Sequence, residues 1–209
     1  MPDGSTIERL RELMQRHCFS YGDFTLTSGQ RSKYYYNGKR VTLRPDGARL
    51  VGEALVDVAL ASGAEAVGGP ELGAVPIAMA TSLASLSRAR GLAVFVVRRE
   101  QKEHGARERV AEPAGDDGGD VLAPGRKVAI VEDTITTGSS VAKAIEAVEA
   151  LGCEVALVAV LVERPEGGAD ALRARGYDVV SLFRTDEEGR LSVNEDYLRR
   201  LEAARTAAR

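Results

Sequence analysis

Apolar positions Ile7, Leu10 and Met14 recur at helical spacing behind Ser5-x-x-Glu8, a capping box that predicts a first helix. Two short extended stretches follow, Phe24–Thr27 and Lys33–Asn37, separated by the turn-like Ser28-Gly29. Leu50, Val51, Ala54, Leu55 and Val58 mark one face of a second helix that Gly63 closes. The pattern then becomes regular. Apolar strands are predicted at Ala66–Gly68, Ala93–Val97, Lys127–Val131, Val155–Val162 and Val179–Phe183. Helices at about Pro76–Ala89, Ser139–Leu151 and Ala169–Arg175 lie between them, with Gly91, Gly152 and Gly176 just past their ends. The Val97 to Lys127 gap holds no obvious helix, and an amphipathic helix at about Asn194–Arg205 closes the chain on the outside.

Strands this apolar, alternating with helices, imply an α/β fold whose mostly parallel sheet is covered on both faces. Such sheets place ligands beyond the carboxyl ends of their strands. One domain is expected over residues 1–209, with residues 1–45 as a small cap and 98–124 as a long loop. A structureless loop of that length inside a compact domain points to a functional lid.

Composition narrows the function classes. Hydrophobic residues make up 44% of the 209 and charged residues 28%, as in a soluble globular domain. A net charge of −3 gives no global attraction for nucleic acid or an anionic membrane, so an anionic ligand needs a local cluster of cations. The longest aliphatic run, Val155 to Val162, is too short to span a bilayer, and Met1-Pro2-Asp3-Gly4 lacks the regions of a signal peptide. Cys18 and Cys153 form neither a metal-ligand spacing nor a disulfide framework. A cytoplasmic location is expected.

The most informative segment runs from Val128 to Ser140: a buried strand ends in Glu132 and Asp133, and Thr134-Ile135-Thr136-Thr137-Gly138-Ser139-Ser140 leads straight into a helix. A helix start offers unpaired N–H groups and the positive end of the dipole, and a glycine lets the backbone approach closely. With its hydroxyls this is a phosphate cradle, although neither a Walker loop nor a dinucleotide fingerprint is present. The two acids would repel a phosphate, so they should face the vicinal hydroxyls of a ribose, whose hydrogen bonds carboxylates accept. The competing reading makes them turn residues and the hydroxyls a helix cap. The whole string resembles the phosphoribosyl diphosphate motif of type I phosphoribosyltransferases. That resemblance implies the type I phosphoribosyltransferase fold, with the acids on the ribose and the loop on the 5-phosphate.

Arg98-Arg99-Glu100-Gln101-Lys102-Glu103-His104-Gly105 opens the long loop. Taken alone it reads as a solvated charged loop. It resembles the catalytic loop of the orotate phosphoribosyltransferases, which implies that Arg98, Arg99, Lys102 and His104 stabilise a departing pyrophosphate. It also implies a homodimer, because that family's loop serves the neighbouring subunit's site. Gly115-Asp116-Asp117-Gly118-Gly119-Asp120 is expected to be a connector without function.

Three further places bear on the acceptor. Ser28-Gly29-x-x-Ser32-x-Tyr34-Tyr35-Tyr36, which alone reads as an edge strand, resembles the pattern that sets two aromatics, here Tyr35 and Tyr36, against orotate. Arg164 matches the arginine that recognises orotate, with Thr136 beside it; by itself an isolated exposed arginine carries no meaning. Gly68 to Pro76 resembles the pyrophosphate loop, but Gly73 and Thr27 stand where many members carry lysines. Backbone N–H groups and Mg²⁺ then carry more of the pyrophosphate charge, with Mg²⁺ held mainly through substrate oxygens and no direct protein ligand. The expected reaction joins orotate and phosphoribosyl diphosphate into orotidine 5′-phosphate and pyrophosphate, a step of pyrimidine biosynthesis. Lys102, His104, Glu132 and Asp133 are its expected catalytic groups. A purine phosphoribosyltransferase is the alternative, and a ligand-sensing regulator that keeps the fold is a more distant one.

Overall fold

The computed structural model describes residues 4–25, 31–88, 90–99, 109–115 and 119–208. In chain order its elements are α1 (Gly4–His17), β1 (Phe19–Thr25), β2 (Arg31–Tyr36), α2 (Lys39–Thr42), α3 (Pro45–Ala61), β3 (Ala66–Pro70) and α4 (Ala74–Ser85). There follow β4 (Ala93–Val97), β5 (Val110–Ala111), β6 (Lys127–Ile135), α5 (Ser139–Glu149), β7 (Glu154–Glu163), α6 (Gly168–Ala174), β8 (Val179–Thr185), β9 (Leu191–Val193) and α7 (Glu195–Ala207).

Seven strands form one sheet in the order β5-β4-β3-β6-β7-β8-β9. The five central strands are parallel, and the two edge strands run antiparallel to their neighbours. Alternation along the central strands divides the core. Ala129 and Val131 of β6, with Leu157, Ala159 and Leu161 of β7, face a layer that includes Leu10, Leu55, Ile77 and Tyr197. Val128, Ile130, Val158 and Val160 face the opposite layer, with Val141, Ile145, Val148 and Leu172. The expected α/β architecture with helices on both faces is therefore present, and the five apolar strands read from the sequence are its centre.

Several local expectations are corrected. The helix at the N-terminus begins at Gly4, so Ser5 lies inside its first turn, and Glu8 accepts from Arg11 Nε at 2.7 Å. The first hairpin strand starts at Phe19, five residues early, because Phe19 and Tyr21 pair with Tyr36 and Tyr34 across the ribbon. In the expected loop between Val97 and Lys127, Val110–Ala111 adds an edge strand to β4. Two residues carry no period for a sequence pattern to show; only the neighbouring strand's free edge defines them. The short α2 and β9 escape the pattern for the same reason. Ile7, Leu10, Met14, Phe19, Tyr34 and Tyr36 pack into the core of one sheet face, so the cap is continuous with it. No helix among the described residues is long and apolar enough to cross a membrane.

Candidate active site

Strand β6 does not stop at Val131. It continues to Ile135, pairing with β7 as far as Ile135↔Glu163, so both acids lie within the strand. Glu132 and Asp133 are each 6% exposed. The Glu132 carboxylate turns back on its own chain: one oxygen accepts from the Asp133 N–H at 3.0 Å and the other from Ser140 Oγ at 3.4 Å. Asp133 Oδ2 lies 3.4 Å from Lys39 Nζ, and the Asp133 carbonyl accepts from the Tyr36 hydroxyl at 3.4 Å. Burial keeps Tyr36 neutral by raising its pKa well above the usual phenol value, so the hydroxyl remains a donor.

Burial first, and the neighbouring Asp133 charge second, push the Glu132 carboxyl up to about 8. The sign for stability follows. Between the ordinary glutamate value and about 8 the folded chain holds a proton that the unfolded chain has released. This contribution is therefore full at low pH and declines as pH rises through that window, by up to about 1.4 kcal/mol per unit. Glu132→Gln should lose less stability than the parent between pH 5 and pH 8. Thermal unfolding of both proteins across that range measures it, and parallel curves would contradict the assignment.

Beyond Ile135, Gly138 adopts φ +78° and starts α5 with no side-chain cap. No side chain caps the first-turn N–H groups, and Thr136, Thr137, Ser139 and Ser140 add hydroxyls around them in sequence, a donor set that suits a phosphate. The loop is fixed from behind. Gly168 N–H donates to the Thr136 carbonyl at 2.8 Å, and Arg164 N–H donates to the Ile135 carbonyl at 3.1 Å. The segment 164–168 thus holds the cradle through two backbone bonds. Sequence reading did not give Gly168 a role. Its signal, a second glycine after Gly167, has meaning only once β6 and β7 are adjacent.

Arg164 is not an isolated exposed arginine. It is 6% exposed, its guanidinium stands 4.6 Å over the Tyr34 ring, and Nη2 meets Glu166 at 2.9 Å. Tyr34 in turn donates to Thr185 Oγ1 at 3.0 Å. Alternation on β2 turns Tyr34 and Tyr36 inward and leaves Tyr35 48% exposed, its ring 5.9 Å from Phe24. Tyr35 and Tyr36 therefore stand on opposite faces, and Tyr34, which sequence reading passed over, is the aromatic that contacts Arg164.

The loop Pro70 to Gly73 closes the other side, with a cis peptide between Glu71 and Leu72. A Cβ on Gly69 would lie 2.2 Å from the Val131 carbonyl, and one on Gly73 would lie 2.4 Å from Glu132 Oε1 and 2.9 Å from Asp133 Oδ1. Glycine at 69 lets β3 approach the β6 backbone closely, and Gly73 brings the loop backbone against the two carboxylates. Arg98 N–H donates to the Arg109 carbonyl at 2.9 Å, and Arg99 N–H donates to Glu71 Oε1 at 2.7 Å. The basic loop is thereby rooted at the carboxyl end of β4, on the same end of the sheet as the acids. Lys102 and His104 lie outside the described residues, as do Thr27, Ser28 and Gly29.

Comparison with known proteins agrees with this arrangement. Residues 47–185 match the phosphoribosyl transferase domain family. The chain is 37% identical over 187 residues to the orotate phosphoribosyltransferase of Bradyrhizobium sp. (strain ORS 278), covering 90% of this chain and 99% of that one. It is 41% identical over 176 residues to that of Rhodopirellula baltica, covering 81% and 87%. The Mycobacterium tuberculosis orotate phosphoribosyltransferase, solved with Fe(III) dicitrate, superposes with a TM-score of 0.71 at 34% identity, covering 84% of this chain and 94% of that one. The same protein solved with 5-phospho-α-D-ribosyl 1-diphosphate gives a TM-score of 0.66 at 31% identity, with the same coverage. With its acid pair inside the strand, its cradle before α5 and these relatives along most of its length, the chain belongs to the orotate phosphoribosyltransferase family.

Proposed function

We propose that this protein transfers the 5-phosphoribosyl group of phosphoribosyl diphosphate to orotate, giving orotidine 5′-phosphate and pyrophosphate. The observation that carries the reading is the bond pattern between segments 135–138 and 164–168. It joins the segment that carries Arg164, whose guanidinium is buried over Tyr34, to the loop read here as a phosphate cradle. The cradle of Thr136, Thr137, Gly138, Ser139 and Ser140 binds the 5-phosphate. Glu132 and Asp133 bind the ribose hydroxyls, and the Asp133 carboxylate opposes the positive charge that grows on the sugar as the C1–O bond breaks ahead of attack. No protein nucleophile is needed, because the ring nitrogen of orotate attacks C1 directly.

Arg164 recognises the base, since a guanidinium suits a planar, carboxylate-bearing ring through paired hydrogen bonds. Arg164→Ala should raise the KM for orotate about 30-fold or more, the lower range for truncating one partner of a buried charge pair. The KM for phosphoribosyl diphosphate should change far less. Steady-state kinetics with each substrate varied measures the split, and equal losses would remove Arg164 from the base pocket.

The hard carboxylate oxygens of Glu132 and Asp133 fit Mg²⁺, and no cluster of three metal-ligating acids, histidines or cysteines occurs among the described residues. Such oxygens suit an ion that arrives on the substrate with its waters. When bound, it would neutralise diphosphate charge. The active unit is a homodimer. Met79, Leu83 and Leu86 form an exposed stripe along α4, with Leu72 just before it, an apolar face suited to a second copy.

A spectrophotometric assay of orotate consumption, with and without Mg²⁺, tests the reading. Mg²⁺-dependent loss of orotate is expected, with no turnover of adenine, hypoxanthine or guanine. Turnover of a purine in place of orotate would overturn it.

A further inference from the structure

Lys39 lies on α2, beside the acid pair, at a position that sequence patterns do not single out. Its Nζ reaches Asp133 Oδ2 at 3.4 Å, while its side chain remains 38% exposed against 9% for the aspartate. The ammonium therefore touches the buried acid from a stem open to solvent. The half-exposed ammonium can leave for solvent, but the buried carboxylate it leaves needs other donors, which ribose hydroxyls can supply. Backbone bonds hold the turn without it: Val41 and Thr42 N–H groups donate to the Gly38 carbonyl at 2.9 and 3.0 Å.

The charge around the acids gives Lys39 a second use. The loop across from them, Pro70-Glu71-Leu72-Gly73, carries no cation and one further carboxylate. Gly73 supplies no side chain there and lies against the acids, a Cβ at that place coming 2.4 Å from Glu132 Oε1. A diphosphate leaving a ribose held by Glu132 and Asp133 would enter a site already bearing acidic groups. Among the described residues, Lys39 is the cation that ion-pairs with this acid pair. A lysine is a mobile point charge with three donors on a four-carbon stem, and it can change acceptors without moving the backbone.

We propose that Lys39 is a diphosphate-binding residue of this site: ribose hydroxyls take over the Asp133 carboxylate, and the released ammonium turns to the diphosphate oxygens. The assignment rests on the transferase reading given above. It makes Asp133 the resting place of a charge that the substrate then collects. Asp133 thereby couples ribose binding to diphosphate binding.

The test compares the parent with Lys39→Met and Lys39→Arg, by titration calorimetry with inorganic pyrophosphate in magnesium buffer and by steady-state kinetics. Lys39→Met should weaken pyrophosphate, and raise the KM for phosphoribosyl diphosphate, about 10- to 100-fold, the range for one lost charge-assisted hydrogen bond. The KM for orotate should not change, and Lys39→Arg should recover most of the loss. Unchanged pyrophosphate affinity, or equal rises for both substrates, would overturn the proposal. A parent protein inert toward orotate, whose Lys39→Met variant still loses pyrophosphate, would remove the transferase reading and leave Lys39 in place.

Discussion

A Lys102→Ala protein is expected to turn over about 10²- to 10³-fold more slowly than the parent at saturating substrates, the scale of one lost oxyanion donor. The departing pyrophosphate gains charge as the C1–O bond breaks, so a cation aimed at it acts on the transition state more than on the bound substrate. The KM values should therefore change less than kcat. Both ends of the segment that carries Lys102 are fixed where this requires. Val97 pairs with Val110, and the Arg98 N–H closes on the Arg109 carbonyl, at the carboxyl end of β4. Strands β4, β3 and β6 are parallel, so this is also the end where Glu132 and Asp133 emerge. The loop can serve its own site or that of a second copy, and mixing distinguishes the two. At orotate near the parental KM, where Arg164→Ala is nearly silent, Lys102→Ala subunits mixed with equal Arg164→Ala subunits should regain about a quarter of parental activity if loops cross between copies, because half the dimers then carry one complete site. No regain would place each loop over its own subunit. Parental kcat in the single variant would remove Lys102 from the chemistry.

Gly168→Ala is expected to lower kcat/KM for phosphoribosyl diphosphate about 10²-fold, the cost of moving a binding group by about 1 Å. An added Cβ would lie 2.2 Å from the Thr136 carbonyl oxygen, 2.5 Å from Gly138 N and 2.5 Å from Thr137 C. All three are backbone atoms of the cradle, so no side chain can yield and the loop itself must shift. Gly167 supplies the control. It has φ +83°, and a Cβ there meets nothing within 4 Å, so Gly167→Ala should cost conformational energy but leave the cradle in place. Kinetics and thermal unfolding of both variants separate the effects. A Gly167→Ala protein as impaired in kcat/KM as Gly168→Ala would show that strain, not displacement of the cradle, sets the loss.

These residues also mark the boundary between what could be read from the chain and what could not. The five central strands were legible because burial on both faces makes each a continuous apolar run. Gly63, Gly152 and Gly176 were legible as helix ends because few other residues tolerate a left-handed turn, whereas α4 ends at Ser85, well before Gly91, which has no positive φ. The cradle was legible because strand, acids, hydroxyls, glycine and helix are consecutive: local order alone brings a helix start and its hydroxyls together. The start of the first helix was placed slightly late, at Ser5 rather than Gly4, because a two-residue motif marks a helix end only to within a residue or two.

What the sequence by itself determined is the central sheet, the strand-to-helix loop that carries the acids and hydroxyls, and the charge of the loop between Val97 and Lys127, each of which is written in neighbouring residues. Tertiary structure alone decided which side chains meet across the sheet. Tyr34 reaches Arg164 through 130 positions of intervening chain only because β2 folds over the carboxyl end of β7, and Lys39 reaches Asp133 by the same closure. Gly168 supports the cradle because parallel pairing carries Glu163 beside Ile135. Such contacts depend on strand order and register, which no local period encodes, because a side chain's partner across a sheet is set by how the whole chain packs.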